Sequence, residues 1–268
     1  MEKSTVIGLI LGIGAISTGM VLKGASLSAL LNPAATLIIF AGTAACLLNA
    51  FPMAQIKKFP KLIKMLFKPP QGMEKPVIAR MFIELSQIAR REGLLALEAK
   101  LTDVEDPFLK NGLSMVIDGM DPDLVADILA LDIQQMEERH RSGALLFTQA
   151  GTYAPTLGVL GAVVGLVAAL GNLDDIEKLG HSIAAAFIAT LFGIFSGYVL
   201  WHPFANKLKQ ISKAEAERKR MMMEGILSLQ AGDNPVTVEA KMRIFMPQSE
   251  RENTKPNEVS ANVAQEAS

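Results

Sequence analysis

The sequence predicts an all-α, polytopic membrane protein: four transmembrane helices and a helical cytoplasmic domain. Three observations carry this expectation. Uncharged runs occupy 4–22 (19 residues), 24–56 (33), 142–173 (32) and 179–206 (28), and about 20 mostly apolar residues cross a bilayer core as a helix. The charges are segregated: of 26 Lys and Arg, only Lys3, Lys23 and Lys178 lie outside segments 57–141 and 207–268. Between the runs no strand-like alternation occurs, and apolar residues recur at helical spacing. Half of the 268 residues are hydrophobic and the mean hydropathy is +0.30, but it is the four long uncharged runs that exclude a soluble core.

The first span covers about 5–22. A charged start followed by an apolar run imitates a secretory signal, whose apolar core is about 7–15 residues. The longer run here predicts an uncleaved first span. Residues 24–28 (GASLS) turn the chain, and Asn32-Pro33 opens the second span, because Pro at a first helical position forfeits only an orphan N–H. That span ends near 51. Cys46 is the only cysteine, so no internal disulfide framework exists.

After the second span, Phe59, Leu62, Ile63, Leu66 and Phe67 interleave with Lys57, Lys58, Lys61, Lys64 and Lys68. This pattern fits either a helix lying in the headgroup plane or a solvated basic linker. Pro69-Pro70 ends it. Segment 71–141 has soluble composition. Asp106-Pro107 and Asp121-Pro122 read as N-cap plus first-turn proline. Ile78, Phe82, Leu85 and Ile88–Ala89 mark one apolar face, and Leu124, Ile128, Leu131 and Met136 another. No strong breaker follows Asp121 until Gly143, so the last helix can run into the third span. The fourth span, about 183–202, likewise continues into the charged amphipathic stretch 207–223.

Basic residues near span ends stay cytoplasmic. The Lys57–Lys68 series and Lys207, Lys209 and Lys213 therefore place both termini in the cytoplasm. The expected organisation is 1–56, two spans; 57–141, a cytoplasmic helical domain; 142–206, two spans; 207–247, a helical extension; and 248–268, a polar, disordered tail.

No Asp, Glu, Lys or Arg lies inside any span. A charge at a helix centre costs at least ~2.5–3.5 kcal/mol and marks a functional site when present. Here either no ion moves, or a partner supplies the ionisable group. There is no phosphate loop and no Cys/His grouping with metal spacing, so neither an enzyme nor a cofactor is expected; nor is nucleic-acid binding. His140, His181 and His202 read as boundary packing.

The polar residues left in the spans are Thr148, Gln149, Thr152, Tyr153, Thr156, Thr190, Ser196 and Tyr198. Such hydroxyls mostly bond their own or a neighbouring helix. Gly161/Gly165 and Gly193/Gly197 fit the small-xxx-small pattern of close packing and point to a tight, oligomeric helical assembly. Pro155 and Pro203 each remove an intrahelical hydrogen bond. They mark either static kinks or hinges beside a wet cavity.

Residues 150–166 (AGTYAPTLGVLGAVVGL) and 189–205 (ATLFGIFSGYVLWHPFA) closely resemble the third and fourth spans of the MotA family of flagellar-motor stator subunits. Residues 32–43 (NPAATLIIFAGT) resemble its second span, and 89–98 (ARREGLLALE) its cytoplasmic motif. The likeness covers about 1–245.

The resemblance implies a bacterial inner-membrane subunit whose homo-oligomeric ring, a pentamer in the family, surrounds a MotB-like peptidoglycan-anchored partner. That partner supplies the membrane Asp that binds the proton, and the cytoplasmic domain pushes FliG on the rotor. By residue, Pro155 and Pro203 match prolines that couple ion flow to conformational change, and Thr190 a threonine lining the ion route. Arg90 and Glu98 match a rotor-binding charged pair, with Arg91 a helper. Ala162, seven residues after Pro155, stands where sodium-driven relatives commonly have Thr; a methyl group offers no lone pair to Na⁺, which implies protons.

The alternatives are a sodium-driven stator, an ExbB/TolQ-type energising subunit with three spans, a secondary transporter with repeated halves, and a scaffold without ion flow. Four runs count against the ExbB/TolQ arrangement, and the two span pairs share no repeat.

Overall fold

The computed structural model describes residues 3–68 and 72–248. Among them every regular element is helical. The expected Pro69-Pro70 terminator and nearly all of the 248–268 tail lie outside the described residues.

Helix α1 spans Lys3–Leu22. Gly24 at φ 75° turns the chain, as the GASLS stretch predicts, and a 3₁₀ turn follows at Leu27–Leu30. Asn32 then caps the next helix by accepting from Ala35 N–H, with Pro33 in the first turn. The second span is built as α2 (Pro33–Thr36), a π turn (Leu37–Ala41) and α3 (Gly42–Ala50). Two short helices, α4 (Met53–Ile56) and α5 (Phe59–Leu66), carry the basic stretch. Then come α6 (Lys75–Glu92), a 3₁₀ segment (Leu94–Asp103) and α7 (Pro107–Ile117).

Asp106 Oδ1 accepts from Phe108 and Leu109 N–H, and Asp121 Oδ1 from Asp123 and Leu124 N–H. Both Asp-Pro signals are thus N-caps. Helix α8 runs unbroken over Pro122–Leu170. Helix α9 (Ile176–Phe195), a π turn (Ser196–Trp201) and α10 (His202–Gln230) follow one another without a loop, and α11 (Pro235–Ile244) ends the series. Among the described residues, four helical stretches are long and apolar enough to cross a membrane.

The chain divides into two compact units. The first comprises 1–70 and 139–211, the second 71–138 and 212–268. The basic stretch 57–68 therefore belongs with the spans, not with the helical domain to which the sequence assigns it. The reason is packing: Phe59, Leu62 and Ile63 join Phe147, Trp201 and Phe204 around fully buried Leu66. Phe59 stacks on Phe147 with ring centroids 4.7 Å apart.

The second unit has its own core. Ile78, Phe82 and Leu85 of α6 meet Leu109 and Leu113 of α7 and Met221, Ile226 and Leu229 of α10. Gly225 permits this closeness, since a Cβ there would lie 2.6 Å from the Phe82 ring. On α8 the buried face is Val125, Leu129, Ile133 and Met136; of the predicted Leu124, Ile128, Leu131 and Met136 stripe, Met136 is buried and the other three are exposed. Two apolar stripes share helical spacing on α8, and periodicity cannot say which one packs within the chain.

Around the core, Lys241 meets Asp233 Oδ2 at 2.9 Å and Glu224 Oε1 at 3.0 Å, and donates to Ser228 Oγ. Asp233 first, then Glu224, raises the Lys241 ammonium above its ordinary 10.5. A raised folded-state value stabilises fully below about 10.5 and loses that contribution as pH climbs through the higher folded value. Lys241 is 37% exposed, so solvent screening holds the gain to about 1 kcal/mol or less. Lys241→Met is therefore expected to melt below wild type at neutral pH, with the gap closing as pH rises above 10.5 through the raised folded-state value. Paired thermal unfolding of the two full-length proteins across that range checks this.

Candidate functional site

The third and fourth spans are joined by a seam of small residues. Gly151, Ala154, Gly158, Gly161 and Gly165 recur every three or four residues on α8, and Ala186, Ala189, Gly193 and Gly197 do so on the returning chain. Helical periodicity puts each set on one face. A Cβ added at Gly193 would lie 2.7 Å from Gly158 Cα and 2.8 Å from Ala154 O. One added at Gly158 would lie 2.9 Å from both Ala189 O and Gly193 Cα. Backbone meets backbone here, as in membrane packing driven by van der Waals contact rather than by the hydrophobic effect. Gly161 and Gly165 extend the seam, each leaving 3.0 Å between a notional Cβ and Ala189 or Ala186 Cβ.

Both prolines meet this seam. Pro155 sits inside α8 and deprives the Gly151 carbonyl, four residues earlier, of its donor. Gly197 lies opposite: a Cβ on it would stand 2.7 Å from Pro155 Cγ and 2.9 Å from Gly151 O. Only a glycine fits between the ring and that freed carbonyl. Gly197 itself belongs to the π turn that precedes Pro203. There the His202 N–H reaches back five residues to Gly197 O. Widening the turn by one residue accommodates Pro203, which cannot donate and would crowd the carbonyl four residues earlier. The imidazole of His202 covers Gly151, where a Cβ would be 2.8 Å from three ring atoms. Its other neighbour is Tyr198, with ring centroids 5.5 Å apart.

The structure thus brings Pro155 together with the turn that leads into Pro203. Thr190 is half-buried on α9 and donates to Ala186 O at 3.3 Å. Ala162 is half-buried beside Gly161. The hydroxyls of Thr148, Thr152 and Thr156 donate to the carbonyls of Ala144, Thr148 and Thr152 in turn. Each satisfies its own helix, as expected of span hydroxyls. Thr43, by contrast, is buried with its hydroxyl unpartnered among the described residues.

The charged trio lies in the second unit. Arg90 and Arg91 occupy the last turn of α6, and Gly93 at φ 85° redirects the chain into the 3₁₀ segment that carries Glu98. Leu97 is fully buried and anchors that segment. Arg90, Arg91 and Glu98 are all exposed, and none forms an ion pair with another described residue. No group of three His, Cys, Asp or Glu suited to a metal occurs among the described residues.

Two of the seam's Gly-xxx-Gly pairs are visible in the sequence as isolated motifs. The full run through Gly151, Gly158, Ala186 and Ala189, and the opposition of Gly197 to Pro155, are not. A small residue at every third or fourth place on both spans was the available signal.

Four charge-free spans, a backbone-close helix pair and proline-disturbed turns at its heart define a polytopic helical membrane protein. The model of the MotA/TolQ/ExbB proton channel family matches residues 100–221, and that of the motility protein A N-terminal region matches 6–93. The chain is 55% identical to motility protein A of Bacillus subtilis (strain 168), over 94% of this chain and 93% of that one. It is 32% identical to chemotaxis protein PomA of Vibrio alginolyticus, over 94% and 97%. The solved flagellar MotAB stator complex from Bacillus subtilis contains a chain similar at TM-score 0.90 and 54% identity, covering 94% of this chain and 99% of that one. The C. jejuni MotAB structure follows at TM-score 0.88 and 32% identity, covering 96% and 98%. The chain belongs to the MotA/TolQ/ExbB proton channel family; it is a stator subunit of the bacterial flagellar motor, not an enzyme.

The seam yields a sharp contrast between glycines. Gly193→Ala forces backbone apart and is expected to cost about 1–3 kcal/mol of helix-pair stability. Gly14→Ala, with nothing within 4 Å of its notional Cβ, is expected to be neutral or slightly favourable through helix propensity. Thermal stability of the two purified variants, with swimming speed alongside, reads the difference.

Proposed function

We propose that this stator subunit is proton-coupled and works only with a MotB-like, peptidoglycan-anchored partner that supplies the membrane Asp. The observation that carries this reading is the absence of any ionisable Asp, Glu, Lys or Arg from the four uncharged runs. Proton transfer needs a titratable group, and the chain offers no carboxylate at span depth. Copies of the chain form a homo-oligomeric ring, a pentamer by family likeness, around the partner in the inner membrane, with both termini cytoplasmic.

One charge falling through 100 mV releases about 2.3 kcal/mol. Protonation of the partner's Asp changes what the lining helices must accommodate, and the α8–α9 seam is where they can respond. Pro155 and the π turn before Pro203 remove the ordinary hydrogen-bond ladder at that place, so small backbone shifts break few bonds. Thr190 lines the ion route, its hydroxyl able to exchange the Ala186 carbonyl for an incoming acceptor. Ala162 presents a methyl group where Na⁺ coordination would need an oxygen, which favours protons over the sodium-driven alternative. Arg90 and Glu98, helped by Arg91, meet opposite charges on FliG of the rotor. Their exposure and lack of partners support a docking role.

Rotation of tethered cells that lack their own stators tests the proposal. With this chain and its cognate partner, rotation is expected in sodium-free buffer and is expected to stop on adding a protonophore. Rotation that requires sodium would overturn the ion assignment while keeping the stator. In the same assay Thr190→Ala is expected to lose most of its speed and Thr190→Ser to keep it. Arg90→Glu is expected to lose torque with membrane assembly unchanged.

A further inference from the structure

From the first unit's basic end we infer a binding surface for anionic phospholipid headgroups, formed by Lys57, Lys58, Lys61, Lys64 and Lys68 on and around α5. The inference rests on the membrane-spanning character of the first unit and not on which ion the stator uses.

The apolar side of this helix packs on the protein. Leu66 is fully buried, Phe59 stacks on Phe147, and Leu62 packs on Gly143, where a Cβ would be 3.1 Å from Leu62 Cδ1. At its end Thr5 Oγ1 donates to Leu66 O at 3.4 Å, tying α5 to the first turn of the first span. The helix is therefore fixed at the span ends instead of floating as a linker. The five lysines on and around it are all exposed, and none of their ammonium groups is hydrogen-bonded or ion-paired to another described residue.

Within the described part of the first unit, no acid at this end compensates them. Not one Asp or Glu occurs in 3–73, in 139–173 or in 179–214. The acidic residues of the first unit within its described part, Asp174, Asp175 and Glu177, belong to the connector at the other end of the spans. Lys207 at the basic end is already engaged, donating to the hydroxyls of Ser4 and Thr5. Ammonium groups beside span ends act on lipid phosphates over about a Debye length, ~8 Å. Ammonium groups on an amphipathic helix beside a span are the usual recognition chemistry for anionic headgroups. Helix orientation alone would need only a charge excess; a rigid, acid-free array goes further and retains anionic lipid.

The test uses the full-length chain purified with its partner subunit. The complex is exposed to equal amounts of the anionic lipid POPG and the zwitterionic POPC, and bound lipid is counted by native mass spectrometry. Wild type is expected to retain POPG in preference to POPC. Lys61→Gln/Lys64→Gln keeps three lysines for membrane orientation and is expected to lower POPG retention by about tenfold. Lys61→Arg/Lys64→Arg is expected to keep it. Raising salt to about 1 M, where the Debye length falls to about 3 Å, is expected to abolish the preference. Equal retention of the two lipids by wild type, or unchanged POPG retention in the Gln variant, would overturn the inference. So would loss in the Arg variant, which would mean a disturbed helix and not a lost charge. Motility lost with POPG retention intact would assign the lysines to an acidic protein partner and overturn it as well.

Discussion

The backbone contact between Gly158 and Gly193 is the constraint on which the membrane half of this protein depends. In lipid no hydrophobic effect draws two apolar helices together, so proximity comes from shape. Bare glycine backbones let α8 and α9 approach until carbonyl oxygens touch the opposing chain. That approach places Gly197 against Pro155 and the Gly151 carbonyl left without its donor. A larger residue at any of these points would separate the helices and draw Gly197 away from that carbonyl. The two prolines and the π turn are tolerable in a membrane because the seam shelters the backbone they disturb.

Away from the seam the molecule divides its chemistry between two compact units. In the spans the hydroxyls of Thr148, Thr152, Thr156 and Thr190 satisfy their own helix, and an aromatic collar of Phe59, Phe147, Trp201 and Phe204 closes one end. The second unit is an ordinary helical core dressed with ion pairs such as Lys75–Glu217 and Lys219–Asp132, at 2.9 and 3.1 Å. Lys75 lowers the Glu217 carboxyl below its ordinary range by hydrogen bonding to it. Such pairs at a surface contribute little each, so the packing around Phe82, Leu113 and Ile226 holds that unit. Arg90, Arg91 and Glu98 stand outside this network, which leaves them available to a partner.

Much of the architecture was legible because membranes impose simple rules. Charge-free runs gave the spans, and Asn32, Asp106 and Asp121 gave helix starts because a short polar side chain before proline has few other uses. Other features were hidden for physical reasons. Leu124, Ile128 and Leu131 have the spacing of a core face, yet Val125, Leu129 and Ile133 have it too and are the ones buried. The basic helix at 59–66 read equally as membrane-lying or solvated, because composition does not reveal that Phe147 and Trp201 wait for its apolar side. The π turns at Leu37–Ala41 and Ser196–Trp201 left no local signature beyond Pro203. Of the site, the prolines and charged residues were visible through family likeness. Their supports, Gly197 against Pro155 and Leu97 beneath Glu98, needed coordinates.

In the proposed mechanism this chain shapes an ion route but does not supply the titrating group. Proton flux into liposomes under an imposed potential addresses it most directly. Three preparations are compared: the chain alone, the chain with its partner, and the chain with a partner whose membrane Asp is changed to Asn. Flux only in the second preparation is the expected result. Flux through the chain alone, or through the complex with the Asn partner, would mean that the neutral spans conduct by themselves and would contradict the account.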